Sequence, residues 1–241
     1  MILGSILNSA AILIGGIVGL AFRKQLSSRA QAVSQTILGV FTIFFGLKIV
    51  WDNLNGSFAH AAKQFVILLL ALMIGRLVGQ MLHLQKNSNR LGQFARLRIA
   101  AVSSGQKPRW SDGFNTCAAL FCAAPLAILG AMQESFADQL APFAIKSVMD
   151  GIAAASFATM FGWSVALAAL PVLVYQGTLT LLCTQFARPF LEQHHLLDSV
   201  NATGGMLVVF VALVIFEVRK IELADYLPAL AVAPLLTWLW H

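Results

Sequence analysis

Lys146 and Asp150 stand four residues apart in KSVMDGIAA, inside a run that is otherwise uncharged from Phe143 to Val174. Residues i and i+4 share one face of a helix, so an ammonium and a carboxylate at this spacing can pair. At the centre of a bilayer each costs about 2.5–3.5 kcal/mol to insert, which confines such groups to a partner or a water-filled path. Asp150 is the group able to hold a proton or cation, and Lys146 is its charge partner or an anion contact. Asn8, Gln176 and Ser147 add neutral ligands from other apolar stretches and the same one. If Pro142 opens its helix, Asp150 lies about 12 Å along the axis, with Asn8 about 10 Å and Gln176 about 16 Å from the ends of theirs. Two readings follow, a structural ion pair and a site lining a pathway.

The other charges in apolar runs read as interfacial. Lys48 is near Trp51, Arg76 can snorkel, and Glu217 adjoins Arg219 and Lys220. His194 and His195 lack a spaced third ligand, so no metal site and no cofactor are expected. Cys117, Cys122 and Cys183 have no CxxC spacing and read as packing residues.

The elements that must hold these residues are membrane helices. Of 241 residues 11% are charged and 59% hydrophobic, with a mean hydropathy of +0.79. A soluble bundle would need far more charge to cover its surface. At about 20 apolar residues per crossing, spans are expected near 2–22, 32–51, 63–83, 112–132, 142–161, 163–187, 200–218 and 223–240. The fold class is therefore an all-α polytopic membrane bundle forming one domain, 1–241, with eight segments, or seven if 142–187 holds a re-entrant piece. Pro171 marks a kink within that stretch.

Basic residues gather in three places: Arg23, Lys24 and Arg29; the 84–111 linker with Lys86, Arg90, Arg96, Arg98, Lys107 and Arg109; and Arg219-Lys220. Eight crossings put all three on the cytoplasmic side of the bacterial inner membrane and both termini in the periplasm. The linker reads either as a basic amphipathic helix on the membrane surface or as a solvated loop. The net charge of +6 is a topology signal with no nucleic-acid partner implied. The first apolar run has its charges after it, which is the reverse of a signal peptide.

Gly15 and Gly19, like Gly75 and Gly79, form GxxxG pairs on apolar helices. Such faces let helices approach closely, either within the chain or between copies. Together with short loops they suggest a homo-oligomer, most simply a dimer, with lipid as the other partner. A weak duplication is also visible: GSILNS and KSVMDG share S-x-x-[N/D], and QTILGVF (35–41) loosely matches NATGGML (201–207).

The motifs GSILNSAAILIGGIVG, IKSVMDGIAAASFA, PVLVYQGTLTLL, NATGG and YLPALAVAPLL occur in that order. In this the chain resembles, over nearly its whole length, the uncharacterised bacterial membrane proteins of the YdfK/YqgA type. The resemblance implies a polytopic inner-membrane protein and marks Ser5, Asn8, Lys146, Ser147, Asp150, Gly151, Gln176, Gly177, Gly204 and Gly205 as pattern positions. The glycines among them, Gly151, Gly177, Gly204 and Gly205, are expected to allow close backbone approach or helix movement. Where such proteins often have FCxG, this chain has FCAA at Phe121–Ala124.

Three functional classes are separable. An enzyme is not expected, because HExxH is absent and Asp150 has no second carboxylate at matching depth. A scaffold acting by helix association would tolerate loss of Asp150. A transporter or channel for a small solute or ion, coupled to protons or cations through Asp150, would not.

Overall fold

The computed structural model describes residues 2–22, 27–54, 56–105, 107–218 and 221–240; Arg23, Lys24, Arg219 and Lys220, expected in basic clusters, lie outside the described residues. The chain forms α1 (Leu3–Phe22), α2 (Ser28–Asn53), α3 (Phe58–Met81), α4 (Leu84–Ser103), α5 (Trp110–Ala123) and α6 (Pro125–Ala137). These are followed by α7 (Ala141–Phe161), α8 (Ala169–Leu182), α9 (Arg188–Gln193), α10 (Leu197–Ile215), α11 (Leu223–Tyr226) and α12 (Ala229–Leu239). A 3₁₀ segment, Gly162–Ala168, joins α7 to α8, and a π segment, Cys183–Ala187, joins α8 to α9. No strand occurs among the described residues. Ser27 and Ser57 cap α2 and α3, each accepting a hydrogen bond from a backbone N–H three residues on.

The distribution of polarity is that of a protein dissolved in lipid. Phe44, Met73 and Val174 are 60%, 66% and 67% exposed, whereas Asn8, Gln133 and Gln176 are fully buried. In water such an apolar exterior would aggregate; in a bilayer it is the ordinary solvent contact. The chain is an all-helical membrane bundle.

Five helical stretches are long and apolar enough to cross a membrane, and six if the bent pair α5–α6 is one span. The eight expected segments are not all present as separate long helices, for three reasons. The expected 112–132 helix is broken by 52° between Ala123 and Pro125. Ala141–Gln193 is one continuous helical stretch of 53 residues by composition, although its two legs run in opposite directions against α1. α11 and α12 are individually short, together making an apolar piece over Leu223–Leu239.

The reversal within 141–193 is visible in its contacts. Gly4 of α1 meets Phe143, Gly15 meets Gly151 and Gly19 meets Ala155, so α1 and α7 are parallel. Asn8 instead meets Gln176 and Gly16 meets Ala166, so α8 returns antiparallel. The turn begins at Gly162, whose φ of +75° is accessible to glycine and strained for other residues. Pro171, expected at a kink, is the third residue of α8, where backbone N–H groups lack intrahelical acceptors anyway. Pro142 sits in the first turn of α7 as expected.

The glycine faces are consumed inside the chain. Gly15 and Gly19 lie on Gly151 and Ala155, while Gly75 and Gly79 lie on Ala229 and Asp225 of the α11–α12 leg. Gly205 faces Gly46, Ile49 and Val50 of α2, and Gly204 faces the Gln133 amide. These faces therefore offer no surface to a second copy, and the argument from them to a dimer does not hold. Gly177 departs from the expected close approach: a Cβ there would meet nothing within 4 Å. The duplication also weakens. The S-x-x-[N/D] pair does fall on parallel helices, but Gly39 meets Phe216 and Gly46 meets Val209, so α2 and α10 are antiparallel and 35–41 cannot be a parallel copy of 201–207.

The linker is helical as α4, with only Ala95 fully buried. It is anchored at its start by Gln85, whose N–H donates to Asp225 Oδ1 at 2.8 Å while its Oε1 accepts from Ala224 N at 3.0 Å. Further along, Arg98 lies 3.5 Å from Asp112 at the start of α5.

A Cβ at Gly19 would collide with the Ala155 carbonyl. Gly19→Ala is expected to cost about 1–3 kcal/mol through overpacking and to lower the melting temperature in mild detergent. Gly177→Ala should melt with the unmodified protein.

Candidate functional site: a buried ion pair on the floor of a cavity

The i,i+4 spacing on α7 does what the sequence suggests. Lys146 Nζ donates to Asp150 Oδ2 at 2.6 Å, with side-chain exposures of 1% and 12%. Asn8 Nδ2 on α1 donates to the same Oδ2 at 3.0 Å and to Gln176 Oε1 on α8 at 3.1 Å. Four predicted residues from three helices thus form one hydrogen-bonded cluster. Ser147 does not join it: its hydroxyl donates to Phe143 O at 2.7 Å, the usual resting place of a helical serine.

Parallel packing of α1 on α7 is what brings Asn8 to Asp150. Because Gly15, Gly19 and Gly151 remove side chains from the interface, the two backbones approach closely enough for a short amide to reach across. The cluster is incompletely satisfied: Asn8 Oδ1 and Gln176 Nε2 are buried without a partner. The open space at Gly177 adjoins Gln176 in the chain. Unpaired buried polar atoms are expensive and mark places where water or a ligand belongs.

On its other side the pair borders a cavity of about 370 Å³, lined by Lys146, Met149 and Asp150 with Ala124, Pro125, Val211 and Ile215. That volume is within the range of about 300–1,000 Å³ for small-molecule sites. Gln35, Gln85 and Glu217 line it toward the end of the bundle that bears α4. Oδ2 of Asp150 receives both hydrogen bonds given above, leaving Oδ1 as the carboxylate's free acceptor. Two half-helices also meet here. The break at Ala124 ends α5 and starts α6, so main-chain groups without intrahelical partners adjoin the cavity. Discontinuous helices flanking an intramembrane charge are a recurrent way of building a solute or ion site.

The remaining sequence expectations resolve as interfacial or structural. Lys48 pairs with Asp52 at an exposed position. Arg76 stacks over Tyr226, 5.6 Å from the ring centroid. The described residues hold no group of three His, Cys, Asp or Glu suited to a metal ion.

Several further polar residues are buried in the bundle. Gln133 is fully buried with both amide atoms unpartnered, and Glu134 Oε1 accepts from Gly4 N at 3.0 Å, a carboxylate placed against the first turn of α1. A carboxylate other than Asp150 is therefore buried in the bundle. Thr180, Thr184 and Arg188 continue from Gln176 at four-residue spacing, a periodic signal that was available in the sequence.

The family model described as Protein of unknown function (DUF554) matches residues 3–238. The chain belongs to this family. It is 25% identical over 238 residues to the Uncharacterized membrane protein YdfK of Bacillus subtilis (strain 168), covering 99% of this chain and 96% of the relative. It is 26% identical over 243 residues to the Uncharacterized protein YqgA of Escherichia coli (strain K12), covering 100% of this chain and 98% of the relative. No solved structure matches. Alanine in place of glycine at the end of FCAA is accommodated without strain, since Ala124 has φ −63° and ψ 127°, ordinary extended backbone.

Because the pair is buried, removing one member leaves the other uncompensated. Lys146→Met is expected to destabilise by about 3–5 kcal/mol, and the double change Lys146→Met with Asp150→Asn to recover most of that loss. Thermal melts of the three proteins in one detergent check it, and a double variant less stable than Lys146→Met would contradict the pairing.

Proposed function

We propose that the chain is a bacterial inner-membrane transporter or channel for a small solute or ion, coupled to protons or a monovalent cation through Asp150. The observation supporting this reading is the placement of the Lys146–Asp150 pair. A purely structural pair would be walled in by packed side chains; this one borders a cavity that leads to one end of the bundle. Asp150 Oδ1 is the exchange position for a proton or cation. Lys146 holds the empty carboxylate neutral and is released when Asp150 is loaded. Asn8 and Gln176 orient the carboxylate from the far side.

Orientation follows from charge. Lys86, Arg90, Arg96 and Arg98 on α4 sit at the cavity end, which the positive-inside tendency places in the cytoplasm, with both termini in the periplasm. Reporter fusions at the C-terminus should read periplasmic.

Reconstitution into vesicles with a trapped pH-sensitive dye tests the coupling. With a proton gradient imposed, and in parallel with sodium or potassium gradients, the unmodified protein should dissipate at least one of them. Asp150→Asn alone should melt lower, because it leaves the buried Lys146 uncompensated, and the double change Lys146→Met with Asp150→Asn should melt closer to the unmodified protein; both should lose that flux. Either protein, folded and with unchanged flux, would remove Asp150 from the mechanism.

A further inference from the structure

The cavity accounts for only one side of Asp150. On the other side, Gln176, Thr180, Thr184 and Arg188 follow at four-residue intervals, so they line one face of the α8–α9 leg. The opposite face bears Leu170 and Val174, 63% and 67% exposed to lipid. The polar face is closed by α1 and α6. Thr180 Oγ1 is 3.5 Å from Ser5 Oγ, Ser135 Oγ donates to Thr180 O at 3.0 Å, and Thr184 Oγ1 donates to Ser135 Oγ at 3.0 Å. The row ends at Arg188, which donates to Ser135 O and makes a two-pronged contact with Asp138 at 3.0 Å per arm, and to Glu192 at 2.7 Å.

Ordinary helix packing does not require this arrangement. A helical hydroxyl is usually satisfied by its own helix, as Ser147 is and as Thr180 is through Gln176 O at 3.0 Å, whereas the buried Ser135 and the half-buried Thr184 bond across helices. The row starts at a side chain, Gln176, with an unpartnered buried amide nitrogen beside a position where a Cβ would meet nothing. It passes the π segment Cys183–Ala187, a form of helix that recurs at functional sites and can change register locally. It finishes at a charged cluster in which Asp138 is 72% exposed on its side chain.

We propose that this row is the second half of the path through the bundle, closed in the conformation described, with the Arg188–Asp138 contact as its latch. The species it passes is a proton or small hydrated cation, since from Gln176 to Thr184 the row supplies an amide and hydroxyls, the Arg188 charge at its end is engaged by Asp138 and Glu192, and a carboxylate stands at either end in Asp150 and Asp138. The structure is then open from the α4 end down to Asp150 and shut from Gln176 outward. This rests on the transport reading above.

The test is labelling by a membrane-impermeant thiol reagent, which needs no transported species. In a background with Cys117, Cys122 and Cys183 replaced by Ala, Thr180→Cys is exposed to reagent from the Arg188 face, with and without Asp138→Asn. Asparagine is chosen because residue 138 has φ +52°, which it tolerates. Thr180→Cys should stay unlabelled with the latch intact and react once Asp138 is neutralised. Val174→Cys, on the lipid side of the same helix, should stay unlabelled in both. Arg188→Gln serves as a second means of opening.

No labelling of Thr180→Cys after either opening change overturns the path, and full labelling before it overturns the latch. Equal labelling of Val174→Cys and Thr180→Cys means that the contact is a structural clamp, which also overturns the gate. Flux measured on the same preparations separates the ideas: an inactive protein that still shows latch-dependent labelling argues against transport and leaves the path standing.

Discussion

The central constraint on this bundle is the burial of the Lys146 ammonium against the Asp150 carboxylate within apolar helices. In lipid neither group has water to turn to, so the fold must supply partners within hydrogen-bonding reach. The i,i+4 spacing supplies the first, and the amide of Asn8 the second. Delivering that amide requires α1 to lie almost against α7, which in turn requires Gly15, Gly19 and Gly151 at their interface. The small residues and the polar cluster are therefore two aspects of one requirement. The first keeps the backbones close, and the second uses the closeness.

The same constraint shapes the surroundings. A pair needed only for architecture is most stable when fully enclosed, yet here the bundle leaves a cavity beside it and breaks α5 from α6 at its wall. Both features cost packing contacts. On the far side, α8 presents a row of hydroxyls where apolar residues would pack as well. A cavity on the α4 side and a row of polar side chains toward Arg188 thus flank Asp150, the two features on which the proposed path rests.

Much of this was legible in the sequence, and the reasons are physical. Charges and amides are so costly in an apolar run that Asp150, Lys146, Asn8 and Gln176 stood out without any alignment. Ser147 looked equivalent but is neutral and short enough to bond its own helix, which sequence spacing cannot distinguish from a ligand. The GxxxG pairs announced close packing, but a pattern on one helix says nothing about the partner, so Gly15 and Gly79 were read toward a second copy when their partners are α7 and the α11–α12 leg. Pro125 carried the break in α5–α6, but hydropathy averages over such a break and reads 112–132 as one span. Thr180, Thr184, Ser135 and Gln133 do not stand out in the sequence, because hydroxyls and amides are common in membrane helices and only their meeting in space gives them meaning.

The most direct measurement is an experimental density map of the protein in lipid nanodiscs at a resolution that shows ordered water or ions. If the pair is the floor of a one-sided entrance, non-protein density will sit in the cavity within hydrogen-bonding distance of Asp150 Oδ1, with none between Thr180 and Ser135. A sealed interior, in which Lys146 and Asp150 are enclosed by packed apolar side chains and the space beside Ala124 is filled, would contradict it.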